Sequence, residues 1–305
     1  MREKPLFIMM VGLPYSGKSE HAKRLQQKHN AVIHASDEIR EEVLGDVQDQ
    51  NNNAKVFEVL HSRVKADLLA GKNVIYDATN INHKRRKAFL AELTNIPCKK
   101  ACAFMATPYD VCHERSKIRE RVVPWDVFDR MYRNIWIPYF YEGWDYIDLV
   151  YPDGFVTLDA NELFNGKNGL NYAEHDNPHH TFSIGHHCLA AYGIVRGGSN
   201  ELQEAALFHD IGKPYTKTFV NSKGETTEVA HYYNHHNVSA YDSLFYTNSD
   251  YDRLYIANLI QWHMRPYEIK KVHNPKQTAE KFRKLVGSAM YDDIMALHNA
   301  DLNAH

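Results

Sequence analysis

The motif GLPYSGKS, at residues 12–19, directly follows a short apolar run. Gly12 and Gly17 allow backbone amides to approach a phosphate group closely. Lys18 can reach the phosphate oxygens, and Ser19 can bind Mg²⁺ at the start of a helix whose dipole favours the anion. The motif predicts a loop that binds nucleotide phosphates. Its predicted binding residues are Gly12, Ser16, Gly17, Lys18 and Ser19.

The sequence HASDEIR supplies a carboxylate and a guanidinium three residues apart, at Asp37 and Arg40. They share a face if a helix begins at Ser36, which would then be its N-cap. Asp37 could take the proton from an attacking hydroxyl group, and Arg40 could hold an acceptor phosphate through two hydrogen bonds. A capped surface helix with an ordinary ion pair is the alternative that these residues leave open.

A third stretch, NVIYDATNINHKRRKAF, combines an apolar strand that ends at Asp77 with a basic helix start. An acidic residue in this position can hold Mg²⁺ or orient an arginine. The basic run at residues 83–87 could contact a phosphodiester backbone, although we expect most of its charges to form a solvated helix face.

A charged segment before Pro124 carries Arg115, Arg119 and Arg121. A mobile helical lid of this kind can bring cationic side chains onto a phosphate during its transfer. Spacing does not identify the arginine that does so, and we favour Arg119 and Arg121. We expect the aromatic residues at 136–144 to pack the lid onto the sheet rather than to stack on bases.

The second half of the chain is rich in histidine, with 13 of the 19 histidines at residues 161–305. The sequence HDIGKP places His209 beside Asp210, and such neighbours bind one metal only when further ligands converge on them. Mixed imidazole and carboxylate ligands suit Mn²⁺, Fe²⁺, Co²⁺, Ni²⁺ or Zn²⁺, which would polarise a phosphoryl oxygen and supply hydroxide. One such histidine alone is more often a core or surface residue, but the whole set favours metal. The predicted ligands are His187, His209, Asp210, His235, His263 and Asp301.

In the first half of the chain, apolar runs alternate with charged amphipathic stretches. These elements must position the phosphate-binding loop and the residues Asp37, Arg40 and Asp77. They predict a parallel sheet covered by helices. The predicted strands are Leu6 to Val11, Ala31 to His34, Asn73 to Tyr76, Lys100 to Met105 and Tyr146 to Tyr151.

The second half has a different pattern. Residues 152–179 are rich in Gly, Asn and Asp and are interpreted as a connector. The pattern beyond them is mostly helical, with a hairpin that turns at residues 222–224. We therefore expect an α/β domain at residues 1–158 and an all-α domain at residues 159–305.

Composition limits the class of protein. The 305-residue chain has 44% hydrophobic and 24% charged residues, which is typical of globular domains. Its net charge of −2 excludes an overall basic field, so any nucleic-acid contact must be a local patch. The four cysteines include no CxxC pair, which suits a reducing compartment. No apolar run is long enough for a membrane span, so we expect a cytoplasmic protein without membrane contact.

Residues 1 to about 155 resemble the 5'-kinase domain of the bacteriophage-type polynucleotide kinases. Four elements carry the resemblance in family order: GLPYSGKS, the D-x-x-R of Asp37 to Arg40, the D-x-T-N of Asp77 to Asn80, and a lid that leads into VVPWDVFDRMY. The resemblance implies a P-loop kinase fold with a helical lid.

This resemblance also implies roles for single residues. Lys18 and Ser19 would serve ATP and Mg²⁺. Asp37 would be the general base for a 5'-hydroxyl group, Arg40 would grip the 3'-phosphate of the acceptor, and Asp77 would support Arg40.

The second half resembles the HD superfamily of metal-dependent phosphohydrolases, an all-helical fold. The match runs through NPHHTFSIGHH, HDIGKPYTKTF, SKGE and HYYNHHNVSA. The resemblance implies that His235 and His263 complete a second metal site or bind substrate phosphate, which Lys213 would contact. His186 could displace His187 as a ligand. The implied first metal site consists of His187, His209, Asp210 and Asp301.

Together the two resemblances imply an enzyme that heals nucleic-acid ends, RNA more than DNA. One half would phosphorylate 5'-hydroxyl ends, and the other would remove 2'- or 3'-phosphates or open 2',3'-cyclic phosphates. The products are the ends that an RNA ligase joins, so we expect the protein to act alongside one. Two alternatives are a small-molecule kinase fused to a nucleotidase, and a nucleotide-gated RNA-binding sensor with an inert HD half.

Overall fold

The computed structural model describes residues 4–49, 51–118, 123–178 and 181–304. They form two compact units. The first consists of Met1–Met131 and Pro138–Phe155, and the second of Tyr132–Ile137 and Val156–His305. A six-residue segment of the first half of the sequence thus belongs to the second unit.

The first unit contains a five-stranded parallel sheet with the strand order β2-β3-β1-β4-β5. This confirms the predicted fold class, and each predicted strand end lies within one residue of its observed place. The strands are β1 (Leu6–Val11), β2 (Val32–Ala35), β3 (Val74–Asp77), β4 (Lys99–Met105) and β5 (Tyr146–Val150).

The central strand β1 explains why the apolar runs form this sheet. Ile8 pairs with Ile75 of β3 on one side and with Ala101 of β4 on the other. Residues 7–11 of β1 are at most 4% exposed, as expected for a parallel strand covered on both faces. Because the strands are parallel, the residues that follow β1, β2 and β3 lie at one edge of the sheet, where such folds bind ligands.

Six helices connect or follow these strands. They are α1 (Lys18–His29), α2 (Ser36–Leu44), α3 (Asn53–Leu69), α4 (His83–Glu92), α5 (Tyr109–Ser116) and α6 (Trp125–Arg133). The predicted N-cap at Ser36 is wrong. Ser36 is the first residue of α2, and Ala35 is the N-cap without a side-chain hydrogen bond, because β2 runs directly into the helix.

The second unit is mostly helical. Its helices are α7 (Ala160–Asn165), α8 (Ile184–Ile194), α9 (Asn200–Phe208), α10 (Lys213–Thr216), α11 (His235–Tyr246), α12 (Arg253–Trp262), α13 (Arg265–Lys270), α14 (Pro275–Val286) and α15 (Ser288–Asn303). The predicted hairpin is confirmed, with β6 (Lys217–Val220) antiparallel to β7 (Thr226–Tyr232) and Gly224 in the turn at φ +84°. None of the helices in the described ranges is both long and apolar enough to cross a bilayer.

The stretch at residues 152–179 is not a simple connector, which corrects the interpretation from its composition. It contains α7 and a 3₁₀ helix at Leu170–Tyr172. Phe164 and Leu170 are about 5% exposed or less, so sparse apolar residues anchor this polar stretch in the core of the second unit.

The segment Tyr132–Ile137 is held inside the second unit. Ile135 and Ile137 are fully buried, and the ring of Trp136 packs edge-on against Trp262 with centroids 4.6 Å apart. The expectation that the aromatic residues at 136–144 pack onto the sheet is therefore wrong for Trp136, which contacts the end of α12 instead.

Candidate active sites

The loop at residues 12–19 is built around two glycines that no other residue can replace without strain. Gly12 has φ +154°, and a Cβ atom there would lie 2.9 Å from Oγ of Ser16. Gly17 has φ +94° and is the N-cap of α1. The amide of Gly12 donates to the carbonyl of Thr79, which follows β3, at 3.0 Å. Two strand ends therefore fix the path of this loop.

Lys18, Ser19 and Asp77 meet at this edge of the sheet. The ammonium of Lys18 donates to the carbonyl of Leu13 at 2.6 Å, and burial lowers the pKa of Lys18 although the carboxylate of Asp77 opposes the shift. Burial raises the pKa of Asp77, while Lys18 and a hydrogen bond from Ser19 favour its charged form. The two residues predicted to serve ATP and Mg²⁺ thus share one carboxylate.

Asp37 lies in the exposed first turn of α2. Its negative charge raises the pKa of Lys18 and the pKa of Asp77, so Asp37 lies within electrostatic range of both groups. The carboxylate is therefore placed at the same sheet edge as the phosphate-binding loop, open to a substrate.

Arg40 is buried, and its guanidinium donates to Oδ1 of Asn53 at 2.7 Å and to the carbonyl of Asp49 at 3.1 Å. Its Nε has no hydrogen-bond partner in the described part of the chain. The implied support of Arg40 by Asp77 is not found among these residues. The reason is that Arg40 turns toward the loop before α3, whereas Asp77 faces Ser19.

Arg115 is the lid arginine that the structure places at the loop. It lies at the end of α5, and its Nη1 donates to the carbonyl of Tyr15 at 3.4 Å. The favoured candidates Arg119 and Arg121 lie outside the described residues. One sequence signal could have favoured Arg115 over the other two arginines: it is the one nearest to β4 along the chain.

The basic run at residues 83–87 is not a uniform solvated face. Arg86 is fully buried and forms two hydrogen bonds to the buried carboxylate of Glu142, at 2.8 and 2.6 Å. Its Nη1 also donates to the carbonyl of Asn80, whose side chain donates to the carbonyl of Met10 in β1. Arg86 therefore supports the backbone behind the phosphate-binding loop and cannot contact a phosphodiester.

In the second unit, four predicted metal ligands converge. Nε2 of His187 lies 3.2 Å from Nε2 of His209 and 3.0 Å from Oδ1 of Asp301. Oδ2 of Asp210 lies 3.4 Å from Nε2 of His187 and 3.3 Å from Nε2 of His209. The group draws on α8, the turn after α9, and α15.

Asp210 also belongs to a second group, with His235 and His263. Its other oxygen, Oδ1, lies 3.3 Å from Nε2 of His235. Nε2 of His235 lies 3.2 Å from Nε2 of His263. One carboxylate thus faces two sets of imidazoles, and these residues could hold one or two divalent ions.

The backbone fixes all four imidazoles in the orientation that metal binding needs. Nδ1 of His187, His209, His235 and His263 lies 2.6–2.8 Å from the carbonyls of Ala304, Ala206, Tyr232 and Ile260, respectively. Each carbonyl accepts the Nδ1 proton, so the lone pair of each Nε2 points into the cluster.

The residues fit a divalent metal by distance as well as by type. Ions bound at about 2.0–2.2 Å hold neighbouring ligand atoms roughly 3.0–3.5 Å apart in tetrahedral or octahedral geometry. The donor atoms around His187 and Asp301 are 3.0–3.5 Å apart. Burial and the adjacent imidazoles lower the pKa of His263 to about 3, which keeps it neutral and able to bind metal.

Two neighbouring residues complete the description. Nζ of Lys213 lies 2.6 Å from Oδ2 of Asp210, so the predicted phosphate-binding lysine pairs with the shared carboxylate. His186 is exposed, and its Nδ1 lies 2.8 Å from Oγ of Ser183. The structure therefore places His187, and not His186, in the cluster.

Two family models match separate parts of the chain. Residues 7–136 match the family model described as the AAA domain, and residues 179–301 match the family model described as the HD domain. The chain joins an AAA domain to an HD domain. The AAA domain is of the P-loop, kinase-like class and implies ATP and Mg²⁺, and the HD domain implies a divalent metal, so the chain is an enzyme with phosphotransfer chemistry.

Several solved structures are similar to part of this chain. A putative kinase from Chloroflexus aurantiacus is 17% identical over 49% of this chain and 89% of its own, with a TM-score of 0.42. A chain of the Pnkp1/Rnl/Hen1 RNA repair complex is 21% identical over 43% of this chain and 44% of its own, with a TM-score of 0.37. A gluconokinase from Sinorhizobium meliloti is 15% identical over 49% of this chain and 84% of its own, with a TM-score of 0.36. None of the curated proteins matches the chain.

Proposed function

We propose that the protein heals nucleic-acid ends, with RNA as the preferred substrate. The AAA domain would phosphorylate 5'-hydroxyl ends from ATP, and the HD domain would remove 2'- or 3'-phosphates or open 2',3'-cyclic phosphates. The observation that supports the kinase half most directly is that the charge of Asp37 acts on Lys18 of the phosphate-binding loop and on Asp77 at the same sheet edge. An RNA ligase would use the products.

In the kinase site, the chain supplies a base, a phosphate grip and a counter-charge. Asp37 would accept the proton of the attacking 5'-hydroxyl. Lys18 and the loop amides hold the donor phosphates, and Arg115 brings a positive charge to the same loop. Ser19, oriented by Asp77, would hold Mg²⁺, which neutralises charge on the transferring phosphoryl group.

Arg40 supports a polynucleotide rather than a nucleoside as acceptor. It lies one turn beyond Asp37 on α2, and its buried Nε has no partner among the residues described. A phosphate one nucleotide into the acceptor would satisfy this donor. A free nucleoside carries no such phosphate, so it would leave the Nε of Arg40 without an acceptor.

In the HD site, the six predicted ligands would hold one or two divalent ions, which polarise a phosphoryl oxygen when bound. The imidazoles are held by backbone carbonyls, and Asp210 belongs to both groups of predicted ligands. Lys213, beside Asp210, adds a cation where a substrate phosphate would enter.

The kinase proposal is tested by transfer of labelled phosphate from ATP to a 5'-hydroxyl oligonucleotide. Asp37→Asn should lower the rate by about 10²–10⁴-fold, the usual contribution of a general base. The neighbouring Glu38 is also exposed in the first turn of α2, and Glu38→Gln should leave the rate unchanged. Transfer that survives Asp37→Asn would contradict the assignment of the base.

Two further measurements separate the alternatives. Competition between an oligonucleotide and a nucleoside as acceptors distinguishes a polynucleotide kinase from a small-molecule kinase. We expect the oligonucleotide to displace the nucleoside. Metal analysis of the purified protein decides whether the HD half is inert. We expect stoichiometric transition metal, which an inert sensor domain would lack.

A further inference from the structure

One short part of the HD half carries a charge unlike that of the chain. Residues 265–284 contain seven Lys and Arg and only two acidic residues. The whole chain has 36 Lys and Arg against 38 acidic residues. A local excess of this size in an otherwise acidic protein forms a patch that attracts polyanions.

Helices α13 and α14 display these cations to solvent. Phe282 anchors the inner face of α14 in the core. Lys276, Lys281 and Lys284 are exposed on the face opposite Phe282. Because helical residues repeat every 3.6 positions, these side chains form one outward surface.

Three of the seven cations pair with carboxylates among the described residues: Arg265 with Glu268, Arg283 with Asp292, and Lys284 with Glu280. Lys284 lies 3.4 Å from Glu280, but no ion pair involves Lys276 or Lys281 in the described ranges. The ammonium of Lys271 lies 3.9 Å from the centre of the Tyr267 ring, and Tyr267 is 44% exposed. The patch thus offers free charges beside an accessible aromatic face.

The patch begins at the metal ligands. Helix α13 starts two residues after His263. Nζ of Lys270, at the end of α13, lies 3.2 Å from Nε2 of His298. His298 precedes Asp301 by three residues on α15, which is less than one helical turn. A chain that leaves the metal groups in this direction would meet Lys270 first.

We propose that this basic surface binds the sugar-phosphate backbone of the strand whose terminal phosphate enters the HD site. The surface is defined by Tyr267, Lys270, Lys271, Lys276, Lys281 and Lys284. Its lysines contact successive phosphates, and Tyr267 stacks on a base. The inference rests on the proposed function, since it assigns single-stranded nucleic acid as the substrate class of the HD site. Continuity with a phosphate-processing centre favours this partner over an anionic membrane.

The test is a double charge reversal, Lys276→Glu with Lys281→Glu, compared with Lys28→Glu with Lys167→Glu. All four side chains are exposed, and the two pairs change the net charge equally. Phosphate release is measured for a 3'-phosphorylated dinucleotide and for an oligonucleotide of roughly 12 nucleotides. Both carry a 5'-phosphate, so neither is an acceptor for the kinase.

For the Lys276/Lys281 pair we expect the KM of the oligonucleotide to rise by about tenfold or more, with an unchanged kcat. The slope of log affinity against log salt concentration should become shallower by about one for each lost phosphate contact. The dinucleotide should be unaffected, and the control pair should behave as the unmodified protein. Equal KM values for both reversals would overturn the inference and leave the proposed function standing.

Binding measured by fluorescence anisotropy, with a 3'-hydroxyl oligonucleotide, separates the two claims. Weaker binding by the Lys276/Lys281 pair would support the surface even if the HD site released no phosphate, in which case the proposed activity fails alone. If vesicles of anionic lipid, and not the oligonucleotide, lose binding in this variant, the surface belongs to a membrane and the inference is overturned.

Discussion

Gln261 offers the sharpest test of how the second unit is assembled. It is 2% exposed and lies two residues before the predicted metal ligand His263. Its Oε1 accepts from the amide of Ile137 at 2.7 Å. Its Nε2 donates to the carbonyl of Ile135 at 3.2 Å and to Oδ1 of Asn237 at 2.6 Å. One side chain thus joins the segment at 132–137 to α11 and α12.

Gln261→Ala removes the partner of three buried polar groups at once. Each unsatisfied buried group costs roughly 1–3 kcal/mol, and partial relaxation keeps the sum below the simple total. We expect a loss of about 3–5 kcal/mol from the free energy of unfolding of the second unit. Because domains are stable by only about 5–15 kcal/mol, this loss is easily measured.

The assay is urea unfolding of the full chain, followed by the near-ultraviolet signal of the packed Trp136 and Trp262 rings. The control is Gln203→Ala, which removes a single surface hydrogen bond, to the carbonyl of Gly198 at 2.9 Å. We expect the control to change stability by about 1 kcal/mol or less. Equal shifts in the two variants would refute the account of the segment at 132–137.

Three other perturbations follow from the structure. Glu142→Gln leaves the buried Arg86 without its charge partner and should cost about 3–5 kcal/mol in denaturant unfolding, whereas Glu20→Gln, which breaks an exposed ion pair, should cost less than about 1 kcal/mol. Burial and neighbouring cations lower the pKa of His83 to about 4, so its unfolded state binds more protons below pH ~6.5. The free energy of unfolding should therefore fall as the pH falls from ~6.5 to about 4, and His83→Gln should flatten this profile in equilibrium unfolding at each pH. Treatment with a chelator should lower the unfolding temperature of the HD domain more than that of the AAA domain in calorimetry, because crowded imidazoles and carboxylates lose the ion that they share; an unchanged calorimetric trace would show that the cluster holds no metal.

Local patterns carry much of this architecture. An apolar run followed directly by the motif GLPYSGKS identifies β1 and its loop without any knowledge of distant residues. The strand that ends at Asp77 is found in the same way. The convergence of the six predicted metal ligands was also predictable, because HDIGKP and the other histidine-bearing segments together resemble the HD superfamily.

Features that depend on distant partners were not predictable. Arg86 looks like one cation in a solvated run, and its burial depends on Glu142, 56 positions away. The segment at 132–137 reads as part of the first domain, but Gln261 holds it in the second unit. Arg40 donates to Asn53 at the start of α3 and to the carbonyl of Asp49 in the preceding loop, and no hydrogen bond joins it to Asp77 among the described residues. Side-chain choices of this kind are decided by packing, which short-range patterns do not encode.

The central claim is that one chain repairs both sides of a break at two separate sites. It is tested by mass spectrometry of an RNA with 5'-hydroxyl and 3'-phosphate ends, incubated with ATP, Mg²⁺ and Mn²⁺. The unmodified protein should convert both ends, Asp37→Asn only the 3' end, and Asp210→Asn only the 5' end. An RNA left unchanged at both ends, by a protein that phosphorylates free nucleosides, would contradict the claim.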